Sequence, residues 1–110
     1  MINKIKNLFE ERILVLDGAM GTMVQSYNLE ENDFRGEKFK NHFKDLKGNN
    51  DILCLTKPDI VSEIHKAYFD VGCDIVETNT FNANKISQLD YGMEDHCYEL
   101  NFEAAKIARN

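Results

Sequence analysis

The strongest constraint on the fold is a pattern that occurs twice along the chain. An apolar run ends in an acid and a loop of small or polar residues, and a helical pattern follows. The first run is "ILVL" at 13–16, followed by "DGAMGT", and the second is "DIVET" at 74–78, followed by "NTFN". A run that is apolar at every position is typical of a strand covered on both faces, as in parallel sheets. Two strand–loop–helix units in series therefore predict a parallel α/β fold.

Helical periodicity is strongest in the segment "TKPDIVSEIHKAYFDVG". Thr56 is the predicted N-cap, Pro58 falls in the first turn where its missing N–H costs little, and Gly72 can end the helix in the left-handed conformation. Three further helical segments are predicted: a leading helix at 2–9, a short one at 84–90, and a final one from Cys97 onward.

Two segments are harder to assign. The polar stretch 28–50 has scattered aromatics and no sustained period, which predicts a long loop with one helical turn. "DILCL" at 51–55 has the composition of a strand. The final helical pattern reaches Asn110 without a cap or a glycine, and two strands cannot close a sheet. We therefore expect a truncated chain whose remaining sheet comes from elsewhere.

Charge and hydropathy limit the possible partners. The 110-residue chain carries a net charge of −6, which argues against nucleic acid because a phosphate-binding surface needs a basic excess. Its apolar runs are too short to span a membrane, its first residues do not form a secretory signal, and a cytoplasmic location is expected. The spacing of Cys54, Cys73 and Cys97 fits no zinc motif, so reduced, packed thiols are expected.

The two acids that follow the apolar runs are the main site candidates. In parallel α/β folds the carboxyl ends of strands face the ligand, which places Asp17 and Glu77 there. Gly18 and Gly21 allow backbone amides to approach a ligand closely, and a helix starting near Gly21 would favour a carboxylate. An acid beside such a loop complements a zwitterion, so the residues favour a small amino-acid-like ligand.

Structural roles compete with this interpretation. The alternative role for Asp17 is to cap the next helix within an Asp-Gly turn, and the alternative role for Glu77 is a salt bridge or a cap. The segment "GAMG" matches neither of the common phosphate-binding fingerprints, so a nucleotide site is weakly supported. Spacing alone leaves the first two alternatives open.

Longer motifs carry a family resemblance over most of the chain. "DGAMGT", "RGE", "LKGNND", "KP", "ETNTF" and "NFEAAKIAR" occur in the order and spacing found at the N-terminus of cobalamin-dependent methionine synthases. The chain resembles the homocysteine-binding region of that family, the homocysteine S-methyltransferase barrel. The resemblance implies that residues 1–110 hold the first two βα units of a truncated (β/α)₈ TIM barrel. It also makes "DILCL" the lead into a helix and not a strand.

The resemblance implies an enzyme that makes methionine. In the full-length family member, methylcobalamin donates a methyl group to homocysteine, methyltetrahydrofolate recharges the cobalamin, and zinc binds the homocysteine thiol. The family's zinc ligands are cysteines on later strands, which Cys54, Cys73 and Cys97 do not match. We therefore expect no metal ligand, no bound cofactor and no catalytic residue within this chain, which should be inactive alone.

The implied role of this chain is to supply part of the homocysteine pocket. Asp17 matches the family acid that contacts the amino group of homocysteine, and Gly18 with its loop matches the backbone at the substrate. The full set of predicted substrate-binding residues is Asp17, Gly18, Met20, Gly21, Thr22, Glu77, Thr78, Asn79, Thr80 and Phe81.

Two other functions are compatible with the sequence. One is a non-catalytic module that binds a small amino acid, and the other is a cobalamin-independent homocysteine methyltransferase, although "RGE" and "LKGNND" favour the cobalamin branch. The expected partners are homocysteine and the remaining barrel, cobalamin and folate domains. Because unpaired sheet edges invite association, the chain is also expected to self-associate.

Overall fold

The computed structural model describes residues 2–109, and helices account for all the regular secondary structure in that range. Three short 3₁₀ helices span Asn50–Ile52, Leu89–Tyr91 and Glu94–His96. The seven α-helices are α1 (Ile2–Glu11), α2 (Met20–Gln25), α3 (Glu31–Arg35), α4 (Leu53–Thr56), α5 (Pro58–Asp70), α6 (Lys85–Gln88) and α7 (Cys97–Arg109).

The predicted sheet does not form. Residues 2–109 contain no strand, so the prediction of an α/β fold with two βα units of a (β/α)₈ TIM barrel is wrong. The two apolar segments meet at one isolated parallel bridge between Leu16 and Ile75. A ladder needs several paired residues on neighbouring strands, and here the pairing stops after one bridge. Ile13, 87% exposed, lies on the surface although its segment is apolar throughout.

Short backbone hydrogen bonds nevertheless hold the two extended segments side by side. The Asp74 N–H donates to the Val15 carbonyl at 2.8 Å, and the Asp17 N–H donates to the Ile75 carbonyl at 2.9 Å. Arg12 adds an ion pair with the Asp74 carboxylate, which also accepts the Val15 N–H at 2.9 Å. The residues that follow each segment, at 17–22 and 77–81, therefore begin next to each other.

The core lies where α4 packs against α5 and α7. Each fully buried Leu or Ile side chain stabilises such a core by about 1.5–3 kcal/mol relative to its exposed state. The buried apolar side chains are Val24, Phe34, Phe39, Leu46, Ile52, Leu53, Cys54, Val61, Ile64, Met93, Leu100 and Ala104.

Two of the three sequence signals for the ends of helix α5 are confirmed. Pro58 is its first residue, and Gly72 lies just past its end with φ of +102°, as predicted. The predicted N-cap is wrong, because Lys57 precedes the helix and supplies no side-chain cap. Thr56 instead ends α4, where its hydroxyl donates to the Ile52 carbonyl at 3.3 Å. The helical interpretation of 51–55 is confirmed over its strand alternative.

The long segment 28–50 contains the single helical turn predicted for it, α3, and is organised by one ion pair. Arg35 Nε donates to Glu31 Oε2 at 2.7 Å. The same guanidinium donates from Nη1 to the His42 carbonyl at 2.7 Å, while Glu31 accepts the Leu46 N–H at 2.7 Å. These two side chains satisfy backbone groups that no regular structure pairs, so the loop is ordered without a sheet.

Within the part of the chain that the structure describes, every helix is too short or too polar to cross a lipid bilayer.

Candidate functional site

A cavity of about 620 Å³ opens where the two extended segments end. We call it the site cavity. It brings together eight of the ten residues predicted from the sequence, and the other two, Gly21 and Thr22, line an adjoining cavity of about 420 Å³. Substrate binding by these residues stays a prediction. The residues that line the site cavity are Asp17, Gly18, Met20, Glu77, Thr78, Asn79, Thr80 and Phe81.

The two acids on the cavity wall are linked through the backbone. The Glu77 N–H donates to Asp17 Oδ2 at 3.1 Å, and the Asp17 N–H donates to the Ile75 carbonyl. Asp17 does not cap α2, because the N-cap is Ala19 and no side chain caps that helix. Among residues 2–109 neither acid forms an ion pair. The wall therefore carries two carboxylates with no counter-charge, which favours a cationic group in the cavity.

The loop on one side of the cavity packs against a tyrosine from α5. The Tyr68 hydroxyl donates to the Ala19 carbonyl at 2.7 Å. A Cβ placed on Gly18 would lie 3.1 Å from that hydroxyl oxygen and 3.3 Å from the ring, so the tyrosine occupies the space next to the glycine. No local sequence signal predicts this contact, because Tyr68 and Ala19 lie 49 positions apart along the chain.

The side chain of Asn79 points into the protein and not into the cavity. It is 5% exposed, and its amide donates to the Asn50 carbonyl at 2.8 Å and contacts the Cys54 sulfur at 3.6 Å. The Cys54 thiol in turn lies 3.7 Å from the Asn79 carbonyl oxygen. Burial raises the pKa of this thiol to about 12, so it stays protonated. Asn79 thus fixes the cavity wall to α4 instead of presenting its amide to a ligand.

A second buried network holds the residues that follow. The side chains of Asn49 and Gln88 exchange two hydrogen bonds, at 2.8 and 3.1 Å, and Gln88 also donates to the Asn82 carbonyl at 3.0 Å. The Asn82 N–H donates to the Asp51 carboxylate at 2.8 Å. Burial raises the pKa of Asp51. Polar residues inside the motif "LKGNND" are a signal for such a network, but the partners lie about thirty to forty residues away in sequence.

The outer part of the wall is polar with one exposed aromatic. The hydroxyls of Thr78 and Thr80 lie 2.7 Å apart and hydrogen bond to each other. Phe81 is 93% exposed although it lines the cavity. Hydroxyls of this kind can exchange their mutual bond for one to a ligand, and an aromatic ring at the edge can cover an apolar ligand segment.

A family comparison covers both walls of this cavity. Residues 14–110 match the family model described as homocysteine S-methyltransferase. The chain belongs to the homocysteine S-methyltransferase family. Membership supports a methyltransferase whose acceptor is homocysteine. The match begins before Asp17 and continues past Phe81, so every residue predicted for the homocysteine S-methyltransferase pocket lies inside it.

The described residues of this homocysteine S-methyltransferase family member do not fit the zinc ion that the resemblance implies. Residues 2–109 contain no group of three or more His, Cys, Asp or Glu side chains arranged to hold a metal. None of the three thiols forms a disulfide, and the Cys54 sulfur accepts a hydrogen bond from the Asn79 amide in the core. A cysteine binds zinc as the thiolate, whereas burial raises the pKa of Cys54 and keeps its thiol protonated.

Proposed function

We propose that the site cavity binds the amino-acid end of homocysteine, and that this binding serves methyl transfer to the homocysteine thiol. One observation carries the proposal: the hydrogen bond from the Glu77 N–H to Asp17 Oδ2 holds an acid without a counter-charge at the wall of the cavity. The volume of about 620 Å³ falls in the range of small-molecule sites. Family membership supports homocysteine as the ligand.

Asp17 is the residue we assign to the ammonium group of homocysteine. Only its Oδ2 accepts a hydrogen bond from the described residues, so Oδ1 is available to a ligand. Glu77 adds a second negative charge on the same wall. We assign no ligand carboxylate to the start of α2, because this helix has only six residues and such short helices are marginal on their own. The hydroxyls of Thr78 and Thr80 are the nearest candidates to contact the rest of the amino acid.

For the methyl donor we propose methylcobalamin, recharged by methyltetrahydrofolate, as in cobalamin-dependent methionine synthases. The motifs "RGE" and "LKGNND" support this choice over a cobalamin-independent relative. When bound, methylcobalamin would supply the methyl group, which the homocysteine sulfur would accept as it loses its thiol proton. A zinc ion would need ligands other than the described residues. The role of this chain in the reaction is to bind and orient homocysteine.

Titration calorimetry with L-homocysteine tests the assignment of Asp17. We expect the wild-type chain to bind, and Asp17→Asn to weaken binding by about tenfold, or roughly 1.4 kcal/mol, because the variant keeps the shape but loses the charge. Asp90→Asn is the matched control, since Asp90 is exposed and does not line the site cavity.

A ligand without the ammonium group isolates the interaction. 4-Mercaptobutyric acid should bind the wild-type chain more weakly than homocysteine does, and Asp17→Asn should not weaken it further. If Asp17→Asn binds homocysteine as tightly as the wild type, the assignment is wrong. If the wild-type chain gives no heat with homocysteine, the proposed function of the cavity fails.

A further inference from the structure

We propose that Tyr68 is a positioning residue for the site cavity: its hydroxyl fixes the loop 18–21, which runs into the first residues of α2 and contributes Gly18 and Met20 to the cavity wall. The inference rests on the proposed function only for its effect on homocysteine binding. The position of the loop itself depends on contacts seen in the structure. The Tyr68 hydroxyl donates to the Ala19 carbonyl at 2.7 Å, two residues after the acid at 17 and one residue before the start of α2.

Apart from the packing of Met20 against the core, few side-chain contacts that could hold this loop are hydrogen bonds. Among the described residues, the bond from Tyr68 is the only hydrogen bond that a side chain makes to the backbone of residues 18–21. Helix α2 begins at Met20 without a side-chain cap and is six residues long. A helix this short is marginal on its own, so its first turn depends on tertiary contacts. The tyrosine supplies one at the residue before the helix.

The other end of the tyrosine is anchored in the core. Tyr68 lies one turn after Ile64 on α5, and Ile64 and Val61 are fully buried. The ring of Tyr68 packs against that buried cluster. The hydroxyl therefore projects from the packed core to a loop whose backbone accepts no other side-chain hydrogen bond among the described residues, which is the arrangement expected of a residue that orders a site.

The glycine in the loop fits the same explanation. A Cβ at Gly18 would come 3.1 Å from the Tyr68 hydroxyl oxygen, which is closer than most Cβ atoms approach a neighbour. Gly18 has no positive φ, so its backbone conformation does not demand glycine. The space taken by the Tyr68 side chain is what favours glycine at this position. Residues 18 and 68 are thus matched in size.

The test compares two hydroxyl deletions. Tyr68→Phe keeps the ring and removes the bond to Ala19. Tyr27→Phe is the matched control, because the Tyr27 hydroxyl also bonds across to α5, at Glu63 over 2.8 Å, and Tyr27 does not line the site cavity. Backbone ¹⁵N order parameters and homocysteine affinity are measured for both variants and the wild type.

In Tyr68→Phe we expect the order parameters of residues 18–21 to fall from near 0.85 toward values below about 0.6, while those of α7 stay unchanged. Homocysteine binding should weaken roughly fivefold, which corresponds to loss of one ordinary hydrogen bond. Tyr27→Phe should change neither quantity. The proposal is overturned if the order parameters of Tyr68→Phe match those of the wild type. It is also overturned if they fall while the variant binds homocysteine as tightly as the wild type does. If they fall and the wild type binds no homocysteine, the positioning role stands and the proposed function fails.

A variant at residue 18 keeps the proposal testable if Tyr68→Phe does not fold. Gly18→Ala alone should raise the mobility of the loop, because the new Cβ meets the hydroxyl. Equal loop mobility in Gly18→Ala and the wild type would overturn the proposed match between the two residues.

Discussion

Cys54 and Asn79 contact each other twice. The thiol lies 3.7 Å from the Asn79 carbonyl oxygen, and the side-chain amide of Asn79 lies 3.6 Å from the same sulfur. Cys54 belongs to the buried core on α4, whereas Asn79 belongs to the wall of the site cavity. The pair therefore couples the position of the wall to the packing of the core, and changes to either residue should be felt at both places.

The buried thiol should be far less reactive than the other two. Burial raises the pKa of Cys54 to about 12, so roughly one molecule in ten thousand carries the thiolate at pH 8. Cys73 and Cys97 are partly exposed. Iodoacetamide at pH 8, followed by mass spectrometry, should modify Cys73 and Cys97 at least tenfold faster than Cys54. Urea should equalise the three rates, and rapid labelling of Cys54 in the folded chain would contradict the structure.

Two substitutions at Asp51 should have different effects. Burial raises the pKa of Asp51, so the folded chain disfavours the charged form, and stability is gained as pH falls through that raised pKa. Asp51→Asn removes the charge and can still accept the Asn82 N–H, so its free energy of unfolding at pH 7 should equal or exceed the wild type. Asp51→Ala leaves that N–H unpaired and should lose about 1–3 kcal/mol. Urea unfolding measures both, and equal losses would contradict the prediction.

The ion pair between Arg12 and Asp74 should give an acid-dependent stability. The Arg12 guanidinium, with help from the Val15 N–H, lowers the pKa of Asp74 to about 2 from an ordinary 3.8. A lowered carboxyl pKa stabilises the fold above about pH 3.8, and that stabilisation is lost as pH falls toward 2. The melting temperature of the wild type should therefore drop more between pH 4 and pH 2 than that of Asp74→Asn. Parallel curves would show that the pair does not contribute.

His65 should be replaceable by an apolar residue. Its side chain is buried on α5, and neither ring nitrogen has a hydrogen-bond partner among the described residues. Burial lowers the pKa of His65, and the nearby charge of Asp17 opposes this shift. The folded chain therefore favours the neutral imidazole, and the stability of the fold falls as pH drops below about 6.5. His65→Leu should gain about 1 kcal/mol at pH 7 and flatten the pH dependence between 5 and 7.

A polar replacement provides the control for His65. His65→Gln cannot titrate, so it should also flatten the pH dependence, but it keeps unpaired polar atoms and should show no gain at pH 7. Urea unfolding at several pH values measures both variants. A loss of stability in His65→Leu equal to that in His65→Gln would mean that the imidazole has partners in solution that the structure does not contain.

The helices were predictable from the sequence because their signals are local. Apolar residues at a spacing of three and four gave α1, α5 and α7, and Pro58 and Gly72 gave the ends of α5. Whether the apolar segments pair as strands was not predictable in the same way. The apolar segment at 13–16 has the composition of a buried strand, but a strand exists only with paired neighbours, and its pairing is limited to the Leu16–Ile75 bridge.

The grouping of the candidate site was predicted, but the orientation of its side chains was not. The predicted parallel strands placed the residues around Asp17 near those around Glu77. No strand forms among residues 2–109, yet the structure still brings these residues to one cavity. Nothing in a linear motif shows that Asn79 turns inward to Asn50 and Cys54, or that Tyr68 reaches Ala19. Such contacts depend on distant partners. Whether the cavity takes homocysteine remains a prediction.

The arrangement of Arg35 in the segment 28–50 has a consequence for sequence variation. Its guanidinium bonds to main-chain carbonyls, those of Phe39, His42 and Lys44 among them, and not to the side chains of these residues. Any residue type offers the same carbonyl. Apart from its buried residues Phe34, Phe39 and Leu46, this stretch should therefore tolerate many amino-acid replacements while rejecting insertions and deletions, because a change of one residue in length would move these oxygens out of reach of the arginine.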